Sequence, residues 1–272
     1  MASMENDREL VEVDLYQQSF EDIRLFKQTL PETTVVSLAR EVLRRLAQQT
    51  PRRAFDRADI DSFGAALVEG SSAHAYQMVE KHHAKGASVQ DIYLGLLSPA
   101  AKLLGEKWVS DELTFAEVTI GTGRIYAIMR SLRFTLEPGD LPPSKSAFFA
   151  SVPDETHTLG VKMAADLFRQ KGWHIDVEAG LDHDALLERI IASRQRLVGI
   201  SAGGQHALPA LARLILALRV SVPGVRILVS GNIVDEARDS IRLMQVDAMT
   251  SDLKEAIAEM ERLWGNLTAV AV

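Results

Sequence analysis

Five short apolar runs, each followed by a stretch of helical periodicity, fill the second half of the chain and restrict its fold more than any other feature. The runs are 147–152 (AFFASV), 173–177 (WHIDV), 197–200 (LVGI), 225–229 (VRILV) and 246–249 (VDAM), and the helical stretches begin near 157, 183, 207, 234 and 252. Strands that alternate with helices pair through crossovers, so the pattern predicts an α/β fold with a five-stranded, doubly wound parallel sheet over 146–272. In the strand order 2-1-3-4-5 the ligand crevice lies at the carboxyl ends of strands 1 and 3. Those ends read PDETHTLG and SAGGQH, which sets His157 and Ser201 at one cleft.

The region before it has a different texture. Residues 137–145 form a Pro- and Gly-containing linker, and 59–136 are helical throughout. Ile60, Phe63 and Leu67 make one apolar stripe; GSS and Ser88 offer N-caps; Thr114 with Glu117 forms a capping box before Ile125, Ile128, Met129 and Leu132. Together they predict a four-helix cap. Gly121 and Gly123 fall inside its last helix at a cost of ~1 kcal/mol each, which suits close approach of a helix or a flat ligand. Residues 1–58 are a variable extension: acidic to about residue 33, then basic, with Arg40, Arg44, Arg45, Arg52, Arg53 and Arg57 opposite an apolar helical stripe.

What the cleft holds is narrowed by exclusion. No G-x-G-x-x-G opens the first βα turn and no phosphate loop is present, which argues against a dinucleotide or nucleoside triphosphate. Asp154 and Glu155 sit where a phospho-receiver keeps its magnesium ligands, but Ser201 stands in place of the phosphoacceptor aspartate. A flavin-type mononucleotide site would want a hydroxyl-rich loop, which Thr156 and Thr158 supply only weakly; the alternative is a metal ligated by His157, with Glu155 or Ser201 available to orient the ring. No second protein ligand lies nearby in sequence, so the metal would bring most of its own ligands.

At this point the residues resemble a known family. ETHTLG, SAG at 201–203 and SGN at 230–232 resemble the cobalamin-binding signature D-x-H-x-x-G, S-x-L and G-G, with 41 positions from Gly160 to Ser201 and 30 from Ser201 to Gly231. LLGEKWVSDELTFAEVTIGTGRI resembles the family's helical cap. The resemblance implies cobalamin as cofactor, in its adenosyl-, methyl- or hydroxo- form, with His157 as lower cobalt ligand and Glu155 and Ser201 as the relay behind it. It further implies a nucleotide tail passing Gly160, Gly203 and Gly231 beside Thr156, and Trp108 over the upper corrin face. Three departures stand out: Glu155 for aspartate, whose extra methylene works against a tight relay, Gly203 for leucine and Ser230 for glycine. Val118 and Thr119 replace the Glu-His pair of adenosylcobalamin light sensors.

Within that family the chain is most similar to the stand-alone antirepressors of photosynthetic bacteria, the AerR or PpaA type. That likeness implies a light- or redox-responsive regulator, not an enzyme, whose partner is a DNA-binding repressor of photosynthesis genes. A corrinoid shuttle for methyl transfer and a haem-binding sensor of the same fold are the alternatives. A net charge of -7 argues against direct DNA contact by the whole surface. The absence of cysteine, of a signal-like N-terminus and of a long apolar run makes the cytoplasm, and no membrane, the expectation.

Overall fold

A computed structural model describes residues 55–69, 71–135 and 145–269, which belong to one compact unit. The first helices are α1 (Arg57–Val68), α2 (Ser72–Ala84) and α3 (Val89–Asp91), which runs on through a π-helical segment (Ile92–Leu97) into α4 (Ser98–Val109); α5 (Phe115–Thr135) completes the four-helix cap. Ser88 and Asp91 form a capping box at α3, as do Thr114 and Glu117 before α5. Gly121 serves helix packing, since a Cβ there would stand 2.7 Å from Leu104 of α4, whereas nothing crowds Gly123. Arg57 opens α1 and pairs with Asp61 at 3.0 Å; the other arginines of the basic face lie outside the described residues.

The sheet follows as β1 (Lys145–Ser151), α6 (Leu159–Gln170), β2 (Trp173–Glu178), α7 (His183–Ser193), β3 (Leu197–Ser201), a 3₁₀ turn (Gln205–Ala207), α8 (Leu208–Ser221), β4 (Arg226–Ser230), α9 (Ile233–Leu243), β5 (Ala248–Thr250) and α10 (Leu253–Ala269). Its order is β2-β1-β3-β4-β5 and every pairing is parallel, as the alternation predicts. Lys145, assigned to the linker from sequence, is already in β1, where Glu261 of α10 holds its ammonium at 2.6 Å. Successive side chains of a strand face opposite ways. Phe148, Val198 and Ile227 accordingly pack under α7, α8 and α9, while Phe149, Leu197 and Leu228 pack under α6 and α10.

Helix α6 is buried from two sides. Val161, Ala165 and Phe168 face the sheet, and Met163 and Leu167 join the core of the cap. Between these faces Asp166 is fully buried, held by Arg133 of α5 at 2.9 Å, by Arg169 at 3.1 Å and by the Tyr93 hydroxyl at 3.2 Å. Burial, then the charge of Asp166, pushes the Tyr93 phenol well above its ordinary range, so it stays a donor. The cap is thereby tied to the sheet layer by a charged contact as well as an apolar one.

A part-buried acid, Asp247, ties β5's approach to β4 and α8. Burial alone would raise the Asp247 carboxyl, but the Ile227 N–H and the Arg226 and Arg219 guanidiniums outweigh it and hold it below the ordinary carboxylate range. A carboxyl depressed in the folded state stabilises above its unfolded value, about 3.9, and loses that contribution as pH falls through the lower folded one. Asp247→Asn should therefore unfold at lower denaturant than wild type near neutral pH. The gap between the two midpoints should narrow as pH falls below the ordinary aspartate value and the folded carboxyl takes up its proton.

Candidate functional site

The turn after β1 is built around an acid that points inward. Glu155 is 5% exposed. Its Oε1 accepts the backbone N–H of His157 at 2.9 Å and meets Nδ1 of the same residue at 2.7 Å; its Oε2 accepts the Gly203 N–H at 2.8 Å. Burial by itself would raise this carboxyl, and the bonds from His157 and Gly203 outweigh it, leaving the group lowered and ionised. An ionised carboxylate only accepts, so Nδ1 carries the proton, and in that tautomer the ligating lone pair is on Nε2. The His157 side chain is 75% exposed, so that lone pair is free to ligate.

The departures from the signature fit each other. A Cβ on Gly203 would stand 2.8 Å from Glu155 Oε2 and 3.3 Å from His157 Nδ1. The missing side chain at 203 thus makes room for the added methylene at 155, and the relay is tight rather than loosened. Gly203 touches the carboxylate and is not among the residues that line the cavity described next. Ser201 makes no hydrogen bond to Glu155 or His157; the bond expected of its hydroxyl is made by the Gly203 N–H.

Ser201 instead belongs to a row of hydroxyls along the carboxyl edge of the sheet, paired in register with Ser230 of β4, which pairs with Thr250 of β5. These three and the glycines Gly160 and Gly231 line a cavity of about 260 Å³ between the sheet, α6 and α10, with Leu94 of the π-helical segment also on its wall. That volume lies just under the ~300 Å³ at which ligand pockets begin. Gly231 has φ +100°, and a Cβ there would collide with the Ala202 carbonyl. Only glycine suits both demands. A Cβ at Gly160 would meet nothing within 4 Å, so the wall is open there.

Thr156 is exposed, and its carbonyl accepts the Thr158 N–H at 3.0 Å. Thr158 reaches the cap, with its hydroxyl 2.8 Å from that of Tyr126 on α5, whose ring lies under Lys162. Trp108 does not line the cavity. Half exposed at the end of α4, it is accompanied by Val109, Phe115 and Ile120, all exposed, so the cap carries bare apolar side chains at the α4–α5 turn. One neighbour escaped the sequence reading: His206, whose Nε2 is 3.8 Å from Glu155 Oε2. Its only signal was its place in SAGGQH, at the end of the strand that lines the cleft.

The donor set fits a corrin: one available imidazole nitrogen, a buried carboxylate fixing the ring, and a cavity whose largely apolar wall also carries glycines and hydroxyls. Comparison with known proteins agrees. A B12 binding domain family matches residues 145–260, and a second B12 binding domain family matches residues 60–133. An uncharacterized 20.5 kDa protein in the bchF-crtJ intergenic region of Rhodobacter capsulatus is 23% identical over 67% of this chain and 96% of its own length. The monomethylamine corrinoid protein of Methanosarcina barkeri shares the fold, with TM-score 0.60 and 18% identity over 74% of this chain and 96% of that one. Among the described residues no helix is long and apolar enough to cross a membrane. With its helical segment and its parallel-sheet segment each matching such a domain, the chain belongs to the B12-binding proteins.

Proposed function

We propose that this protein is a cobalamin-dependent, light- or redox-responsive regulator that binds a DNA-binding repressor of the photosynthesis-gene type and relieves repression. The observation that carries the cofactor half is the exposed His157 ring, oriented by a buried, ionised Glu155. The regulatory half is supported by the photosynthesis-gene setting of the Rhodobacter capsulatus relative. His157 would hold the cobalt through Nε2, Glu155 would fix the ring, and the cavity lined by Gly160, Ser201 and Gly231 would take the nucleotide tail. Cobalamin supplies a weak cobalt–carbon bond that light can break. Trp108, Val109, Phe115 and Ile120 would pack against a large upper group in one state and be bare in the other. A partner that distinguishes those two surfaces turns the difference into regulation.

The test is absorption spectroscopy of the purified chain with adenosyl- and hydroxocobalamin, in darkness and after illumination, for wild type and His157→Ala. A light-dependent shift in the wild type that is lost in the variant is the expected result. A wild type that retains no cobalamin in either state overturns the reading and turns the search to haem. A corrinoid carrier for methyl transfer would use the same residues, and the bare apolar side chains near Trp108 would suit an enzyme that reaches the upper face. Copurification with a repressor, or instead with methyltransferases, separates the two.

A further inference from the structure

The Glu155 carboxylate faces two imidazoles, and metal ligation accounts for one. His206 lies in the 3₁₀ turn after β3, its side chain 68% exposed, with Nε2 3.8 Å from Glu155 Oε2. That oxygen already accepts the Gly203 N–H. The turn is pinned from its other side, since the Gln205 N–H donates to Glu236 of α9 at 2.7 Å and the Ala207 N–H to the Gly204 carbonyl at 3.0 Å. Gly204 leaves space for the ring, because a Cβ there would stand 3.3 Å from His206 Nδ1. The ring is therefore held just beyond hydrogen-bond distance, where a small side-chain rotation closes the gap.

We propose that His206 is a positioning residue that tunes how firmly His157 holds the metal, a role that rests on the cobalamin site proposed above. A carboxylate divides one negative charge between two oxygens. Each donor to Oε2 makes Oε1 a poorer acceptor for the Nδ1–H of His157, and a less polarised imidazole is a weaker ligand. The Glu155 side chain is 2% exposed, so little water competes for it and each protein donor counts for more. His206 stands ready as a second donor to the oxygen that the Gly203 N–H already holds, and it works to loosen the metal–imidazole bond.

The experiment loads the full chain with cyanocobalamin and titrates it with cyanide at one fixed, near-neutral pH. The conversion midpoint, read from the visible spectrum, reports how hard the histidine is to displace. His206→Ala should raise the midpoint about tenfold, the low end of what such supporting contacts are worth. His206→Gln, which keeps a side-chain N–H donor, should stay near wild type, and thermal unfolding of both should match wild type. A loaded protein whose midpoint is unmoved or lowered in His206→Ala, or equally raised in His206→Gln, overturns the proposal. A wild type that never takes up cobalamin overturns the underlying reading itself, and is told apart by the missing cofactor spectrum.

Discussion

Arg133→Ala should destabilise the protein by about 3 kcal/mol, the low end of what stranding a buried charge costs. Asp166 has no exposed surface, and losing Arg133 leaves it only Arg169 and the Tyr93 hydroxyl. The low end applies because the Arg133 side chain is half exposed, so solvent already screens its pull. Asp166→Leu should cost less, although it removes every bond of the network at once. The arginines it releases, 50% and 34% exposed, can turn to water, and Tyr93 keeps the Met129 carbonyl at 3.3 Å. Denaturant unfolding of both variants decides the order. If Asp166→Leu proves the worse, the acid is a net source of stability and not a charge that the arginines are needed to offset.

The same network bears on the switching proposed above. Tyr93 belongs to the π-helical segment, and its neighbour Leu94 lines the cavity at the sheet edge. Single π-turns inside α-helices are often kept at functional sites because they cost regular hydrogen bonding. Here the irregular turn places Tyr93 against α6 and Leu94 at the cavity, so cap position and cavity shape are set by adjacent residues. Tyr126 on α5 adds a second tie, to the residue after His157. A displaced cap would disturb both ties.

Much of this architecture was legible in the sequence because its causes are local. Strand and helix periods act over a few residues, and the Ser88 and Thr114 caps each close on a partner three residues away. His157 and Glu155 were legible for the same reason, two positions apart in one turn. What escaped depends on distance. Asp166 reads as an acid on the polar face of an amphipathic helix until α5, far upstream, supplies Arg133. His206 and Gly203 acquire meaning only when β3 is laid beside β1, some 50 residues from Glu155. No local period encodes such a meeting. The glycine at 203 and the glutamate at 155 each read as a separate departure, and their complementarity appears only in contact.

That complementarity predicts the largest effect at the site itself. Gly203→Leu should weaken ligation of cobalamin by His157 about 10- to 100-fold, the usual range when the partner behind a metal-binding histidine is lost. The new Cβ would stand 2.8 Å from Glu155 Oε2 and 3.3 Å from His157 Nδ1, so the buried carboxylate would have to shift away from the imidazole that it orients. Glu155→Asp alone should also weaken ligation, by withdrawing the carboxylate from the Nδ1–H of His157. The two together should do better than Gly203→Leu alone, since the shorter acid vacates the volume that the leucine fills. Cyanide displacement midpoints for the four proteins close a double-mutant cycle, and the coupling should be strongly favourable. Strict additivity would mean that glutamate and glycine merely coexist. A favourable coupling would mean that one substitution requires the other, and that the relay has been rebuilt around a longer acid rather than eroded.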